Sequence, residues 1–560
     1  MALVTPRSAR FRSAGVLLAV TLLVASCGAQ TTPTASPTQG ATAQPSGGAP
    51  TGGVPAPEGT VTIAYHNFSR ETFDPAFDGA PGIIMYGHIF DWIVGANPDG
   101  VVDYDYGVAE SLEPNEDATV WTLTIKEGVL WHDGEAMTSE DVKWSLERYA
   151  GPDTTCNMCG NLRNNMESVE ILDGRTVEIS LRNPDVNTEY NFGAFGGDLF
   201  ILPKHYVEEV GPEEFARNPI GSGPWKFVSQ QTGEAIEFEA NTDYWFPERV
   251  PGFQTMRILL VPEATTRVAM LRQGDVDLIS VDAPNVESLK GEGFKILGPR
   301  AVAQSQIMFW GSLKEDSLTH GMEEGLSFRK ALALAIDWDA IFEAYYPTEV
   351  ATREGVGSPL FYVGQLGHDE SLEPYPFDQD QARELLQQSG YSGEPVTFWN
   401  YALTYNPEQL EVNEVIASYW RDIGLNIELS PIEFGTLRSK ALSDPPDFTG
   451  VANVGVNTPP GDPLRNMAVW MIQHSDGGTY STYHDPEGIV DDYREIAAIV
   501  DRDERDERLR TLANELYDEY WGIPVGVINL VYAGGDRICE WEPTEGALND
   551  YQFNAIRPCA

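Results

Sequence analysis

Apolar and polar positions along this chain alternate with two periods, and the switches between them outline its elements. In "TVWTLTIKEGV", Val120, Leu123 and Ile125 are spaced for a strand, with Trp121 flanking. "HDGE" follows with turn chemistry, Gly134 being free to take positive φ. "TSEDVKWSLER" then starts a helix: Thr138 or Ser139 caps the free N–H groups, and Glu140 and Asp141 sit where the helix dipole favours negative charge. Val142, Leu146 and Tyr149 recur at i, i+4, i+7, which predicts one buried face.

The same reading extends downstream. "ATTRVAMLRQGDVDLISV" predicts a helix, a stop at Gly274 and a short strand. "FRKALALAIDWDAIFEAYY" predicts one strongly periodic helix through Ala331, Leu334 and Ala335. "QARELLQQSGY" reads as a helix closed by Gly390, and "EVIASYWRDIGLNIELSPIEF" as a helix, Gly424 and a strand. "DRDERDERLRTLANELYDEYWGIPVGVINLVY" predicts a charged amphipathic helix followed by a strand. Its run Asp501–Arg510 alternates in sign and reads as a solvated face with i,i+4 pairs. Strands and helices mixed in this way indicate α/β lobes.

Composition narrows the class. With 560 residues and 42% hydrophobic content, the chain has room for a large core and two to four lobes. Its 36 basic against 85 acidic residues repel phosphates, so nucleic acid is a poor partner. Arg7, Arg10 and Arg12 precede "AGVLLAVTLLVAS", an uncharged stretch too short to span a bilayer and right for a secretory signal over residues 1–26. It ends in "VASC", which resembles the bacterial lipobox; that resemblance implies cleavage before Cys27 and lipid attachment to its thiol. Residues 27–59 then form a Thr/Pro/Ser/Gly/Ala tether that cannot bury enough apolar surface to fold. No other stretch approaches a membrane span. The protein is therefore expected outside the cytoplasm, held to the membrane by its N-terminal lipid.

The candidate chemistry is sparse. Cys156, Cys159, Cys539 and Cys559 make an even count, which outside the cytoplasm suggests disulfides. The CxxC of Cys156 and Cys159 lacks a thioredoxin-like setting and a second ligand pair for zinc, so a small loop staple is the favoured reading; Cys539–Cys559 ties back the tail. His132, Asp133, Glu135, Glu140 and Asp141 cluster within ten positions, but the turn and helix start already employ them. "IGSGP" lacks the first glycine of a nucleophile elbow, and neither HExxH nor a P-loop is present. A secreted hydrolase working through two carboxylates is the different-class alternative. No enzymatic activity, cofactor or metal site is expected.

Seven motifs then carry a resemblance. The stretch Trp121–Arg148, "PIGSGPWKF", "EANTDYW", "RQGDVDL", "FRKALALAID", "QARELLQQSGY" and "DIGLNIEL" occur in the order found in the extracytoplasmic solute-binding proteins of ABC importers, dipeptide/oligopeptide/nickel class (family 5), across nearly all of residues 60–530. The resemblance implies an α/β, bilobal, periplasmic-binding-protein type II-like fold over 60–560. Lobe I would comprise about 60–85, 190–300 and 521–560, an inserted subdomain about 86–189, and lobe II about 301–520. A monomer is expected to enclose a peptide or related solute by hinge closure and to deliver it to a permease. "FDPAFDGAP" resembles the family's first ligand-facing loop, which carries over Asp78, Gly79 and Ala80. In "VGVNTPPGDPLRNM", Asp462-Pro463 matches an acidic–Pro pair, while Val456 and Pro459 stand where peptide binders carry a Trp and an ammonium-pairing Asp. Asp462 or Asp78 is then left to substitute, or the ligand lacks an α-amine there. Trp310, Trp399, Tyr401 and Asn457 are further candidates, able to stack on or bond to peptide side chains or to the sugar rings of an oligosaccharide.

Overall fold

The computed structural model describes residues 56–79, 82–195, 199–312, 314, 317–320, 325–353, 356–401, 403, 406–441, 449–457, 462–472, 488–541, 543–546 and 552–559. All belong to one compact unit, Val54–Ala560. The signal, Cys27 and the tether up to residue 55 lie outside the described residues.

Three larger sheets organise the chain. A seven-stranded sheet runs in the order Lys295–Leu297, Tyr532–Gly534, Leu278–Ser280, Thr60–Tyr65, Thr255–Leu260, Ala235–Ala240, Trp225–Gln231. Its strand Thr60–Tyr65 is parallel to both neighbours. A six-stranded sheet runs Ala351–Thr352, Ile523–Ile528, Ala303–Trp310, Gly450–Asn457, Val396–Asn400, Ile427–Pro431. Ala303–Trp310 is buried at every position, as a strand covered on both faces must be. A four-stranded antiparallel sheet, Ala109–Pro114, Val120–Ile125, Thr176–Leu181 and Met166–Ile171, falls within the span expected for an insertion.

Several elements follow the sequence reading. The helix Ser139–Tyr149 has Thr138 at its cap, with the Thr138 N–H and hydroxyl both donating to the Asp141 carboxylate at 2.9 Å. Val142, Leu146 and Tyr149 are buried. Gly274, Gly390 and Gly424 follow helices with φ of 76°, 77° and 106°. The mixed α/β architecture is as expected.

Others differ. The inward face of Val120–Ile125 is Trp121, Leu123 and Ile125, while Val120 is half-buried; strict two-residue alternation makes Trp121 a core member rather than a flank. The predicted helix from Phe328 onward is two helices, Leu326–Leu334 and Trp338–Tyr345. Asp337 breaks it by accepting from the Ala340 N–H at 3.0 Å, a cap that starts the second helix. The run "GIPVGVINLVY" is likewise two strands in different sheets: Ile523–Ile528 joins the six-stranded sheet and Tyr532–Gly534 the seven-stranded one. The chain thus returns to the first sheet through Asn529–Val531, later than the residue 521 expected from the motifs.

That return runs beside the outward crossing, residues 298–302. The Leu530 N–H donates to the Pro299 carbonyl at 3.1 Å, the Val302 N–H to Ile528 at 3.0 Å, and the Ala301 N–H to the Asn529 side chain at 2.8 Å. The two crossings are so close at Gly298 (φ 129°) that a Cβ there would lie 2.1 Å from the Leu530 carbonyl oxygen. Glycine is the residue that permits this approach.

Candidate functional site

The six-stranded sheet has two different faces. Ile307 and Phe309 pack into a core with the helices Leu326–Leu334 and Gln409–Asp422. Met308 and Trp310, alternate residues of the same strand, belong to a core shared with Ile83–Tyr86 of the chain's first segment. Gln304 and Gln306 share that second face, because successive strand side chains point to opposite sides. Across the strand pair they oppose Val456 and Val454. Both glutamines are 0% exposed. The Gln306 oxygen accepts from the Leu360 N–H at 3.2 Å. The Gln306 Nε2 and both Gln304 amide atoms are buried with no hydrogen-bond partner among the described residues.

The aromatic candidates lie on this same side. Trp310 is buried edge-on to Trp470, centroids 6.3 Å apart at 82°. Trp399 is half-buried, and its indole N–H donates to the Thr449 carbonyl at 2.9 Å. Tyr401 is buried in the shared core. Asn457 ends the strand Gly450–Asn457 opposite Ala303; its side chain lies outside the described residues.

The first-segment loop supplies an acid. Asp78 follows the single helical turn Pro75–Phe77 and is 3% exposed. Its Oδ1 accepts from the Ser69 hydroxyl and the Gly79 N–H, each at 2.8 Å. Its Oδ2 is buried with no partner among the described residues. Burial raises this carboxyl above the usual range, and those hydrogen bonds with the nearby Arg70 charge partly oppose the rise. The Tyr86 hydroxyl donates to the Gly79 carbonyl at 3.2 Å and holds the loop. Gly82 leaves the space Asp78 occupies: a Cβ there would lie 2.1 Å from Asp78 Oδ2. Ala80 lies outside the described residues.

Asp462 is placed differently. It is 1% exposed, its Oδ1 accepts from the Leu464 N–H at 3.0 Å, and its Oδ2 accepts from Arg505 Nε at 2.7 Å. Arg505, assigned by sign alternation to a solvated face, is itself buried, and its guanidinium also donates to the Ile499 carbonyl at 2.5 Å. Against this pair packs the segment Asp185–Asn191, whose Val186 N–H donates to the Ala497 carbonyl at 3.2 Å. Asp185 accepts from the Asn187 N–H at 2.9 Å. Burial, with the Asp462 charge adding to it, pushes Asp185 up to about 6.

Of the two acids the sequence offers for a ligand ammonium, Asp462 therefore already holds an arginine, while Asp78 keeps one buried oxygen open among the described residues. Sequence reasoning missed Gln304, Gln306, Asp185 and Arg505. The signal for the glutamines was there: the polar run Gln304-Ser305-Gln306 leads directly into the apolar "IMFW" of one strand. Nothing local marks Asp185 or Arg505.

His132 serves the scaffold. Its Nδ1 accepts from the Gly221 N–H at 3.2 Å and its Nε2 donates to the Gly223 carbonyl at 3.0 Å, clamping the "IGSGP" loop. Asp133 meets His205 at 2.9 Å. Cys156 is bonded to Cys159 and Cys539 to Cys559. Among the described residues, no group of three or more His, Cys, Asp or Glu is placed to hold a metal ion, and no helix is long and apolar enough to cross a membrane.

Residues 103–470 match the bacterial extracellular solute-binding proteins, family 5, over the middle region of that family. The chain belongs to this family. It is 26% identical over 370 residues to heme-binding protein A of Haemophilus influenzae, covering 61% of this chain and 64% of that protein. It is 23% identical over 375 residues to the dipeptide-binding protein of Escherichia coli, covering 61% and 66%. The fold is similar to that of the ABC transporter-associated periplasmic binding protein DppA of Helicobacter pylori in complex with the peptide STSA, with a TM-score of 0.71, 21% identity and coverage of 90% and 98%.

Proposed function

We propose that this protein captures a peptide with a free amino terminus between the Asp78 loop and the inner face of the six-stranded sheet. In this reading it hands the peptide to an ABC importer permease while anchored to the outer face of the membrane by lipid on Cys27. The observation that carries the reading is the buried Oδ2 of Asp78, which has no partner among the described residues. A carboxylate in that position is stabilised by a cation, and an α-ammonium supplies one. The paired state of Asp462 leaves Asp78 as the acid for that task. A dipeptide-binding relative and a fold neighbour carrying a peptide support the ligand class. The hinge in this reading is the pair of crossings 298–302 and 529–531.

Native mass spectrometry of the secreted protein tests the ligand class. A heterogeneous set of peptide masses is expected. A ladder of hexose masses would replace the peptide reading by oligosaccharide uptake through Trp310, Trp399 and Tyr401. Titration then tests the acid: Asp78→Asn is expected to weaken binding of a peptide with a free amine by about 10- to 100-fold, the range of a lost charge-assisted hydrogen bond. It should leave the N-acetylated peptide unchanged.

A further inference from the structure

Two glutamines on one strand pose a separate question. Gln304 and Gln306 stand on a face otherwise made of Met308 and Trp310, with Val454 and Ala452 alongside on the neighbouring strand. Neither is exposed. A buried amide without partners is costly, and a packing role would be served by Met or Leu at the same volume. The orientation of Gln306 is set: the Leu360 N–H points at its Oε1, so the Nε2 is the group left open. Leu360 itself holds a left-handed backbone conformation (φ 67°). Among the described residues Gln304 leaves both its donor and its acceptor open.

The open set is therefore two NH2 donors and one C=O acceptor. The main chain of one extended residue offers the complement on one side: a carbonyl oxygen with two lone pairs and an N–H. A carboxylate has no donor for the Gln304 oxygen, and an aliphatic or aromatic side chain satisfies none of the three groups.

We infer that Gln304 and Gln306 together hold the main chain of one extended residue of the ligand, the two amide NH2 groups donating to that residue's carbonyl and the Gln304 carbonyl accepting from its N–H, which points to the same side. This rests on the peptide reading above and adds which side chains read the main chain. The recognition is independent of side-chain identity, so it selects for peptides as a class rather than for one sequence.

The test pairs a chemical change in the ligand with a change in the protein. The probes are trialanine, tetraalanine and their depsipeptide analogues, in which one amide N–H at a time becomes an ester oxygen, titrated by calorimetry. In the wild type, one ester position is expected to bind roughly 10-fold more weakly than its amide parent. In Gln304→Met, similar in volume and without hydrogen-bonding groups, the parent should weaken and the amide-to-ester ratio at that position should fall to near one. Gln306→Met should weaken amide and ester alike, because it removes a donor to the carbonyl and not the acceptor. Asp78→Asn should lower both affinities and leave the ratio intact. Thermal unfolding of each variant without peptide reports folding, and Gln304→Met is expected to melt no lower than wild type. A ratio unchanged in Gln304→Met, or no ester penalty at any position, overturns this inference while the peptide reading stands. Failure of both unmodified peptides to bind wild type overturns the two together.

Discussion

Arg505 Nε lies 2.7 Å from Asp462 Oδ2, and both side chains are buried. The pair joins the loop before helix Leu464–Trp470 to helix Arg502–Asp518. Removing either partner leaves an uncompensated charge where water cannot reach it. Arg505→Ala is expected to cost about 3–5 kcal/mol. Asp462→Asn should cost less, since it keeps an acceptor for the Leu464 N–H. Urea unfolding measures both; an Arg505→Ala loss under about 1 kcal/mol would place the pair in solvent.

Asp185 makes the same region sensitive to pH. Its folded-state value, about 6, lies above the unfolded value of 3.8. Folding therefore takes up a proton there, and the stability cost of its ionised form grows as pH rises from about 4 to about 6. Asp185→Asn keeps an acceptor for the Asn187 N–H and removes the titration. The variant should gain on wild type across that window, by about 1–3 kcal/mol at its upper end, and hold the gain above it. Denaturation curves at pH 4, 5, 6 and 7 would show this; a flat difference would exclude it.

His132 acts with the opposite sign. Burial lowers it from 6.5 to about 4, so the unfolded chain takes the proton first and stability is lost as pH falls from 6.5 towards 4. His132→Gln forfeits part of the Gly221 and Gly223 clamp and should be less stable at pH 7.5. The gap should narrow by about 2–3 kcal/mol between pH 6.5 and 4. A gap independent of pH would mean that the imidazole is not kept neutral.

Gly82 controls Asp78 without touching a ligand in this reading. A methyl group there would collide with Asp78 Oδ2 and approach the Tyr86 ring at 3.0 Å. Gly82→Ala should displace the carboxylate and reproduce the amine-selective loss of binding of Asp78→Asn. Its backbone, φ −82° and ψ −14°, is open to alanine, so unfolding should be little altered. Wild-type affinity in this variant would remove Asp78 from the site.

The two disulfides should contribute unequally. Cys539–Cys559 closes 20 residues and pins the strand pair Ile538–Glu540 and Arg557–Pro558; Cys156–Cys159 closes only three. Loop-closure entropy assigns about 3 kcal/mol to the first and about 2 kcal/mol to the second. Cys559→Ser and Cys159→Ser, compared by urea unfolding, should rank in that order.

The limits of the sequence reading show in particular residues. Thr138, Val142, Leu146, Gly274 and Gly424 were legible because caps, helical faces and glycine stops act within a few positions. The single helix expected through Ala335 failed because periodicity continues across a break that Asp337 makes with one hydrogen bond. The single strand expected after Trp521 failed because two sheets accept equally apolar segments, and only their placement decides that Ile523–Ile528 and Tyr532–Gly534 part company.

By itself the sequence determined the mixed α/β class, the start of the helix Ser139–Tyr149, the glycine stops after three others and the family, through short-range hydrophobic period and motif order. It also offered Asp78 and Asp462 as equivalent acids. Tertiary structure separated them, because Arg505, 43 residues beyond Asp462, folds back to neutralise one carboxylate, whereas Asp78 engages Ser69 and Gly79 through Oδ1 and its Oδ2 has no partner among the described residues. It also decided which face of the strand Ala303–Trp310 meets the first segment of the chain. Charge pairing and burial between distant segments depend on how sheets stack, and no local pattern in the chain encodes that.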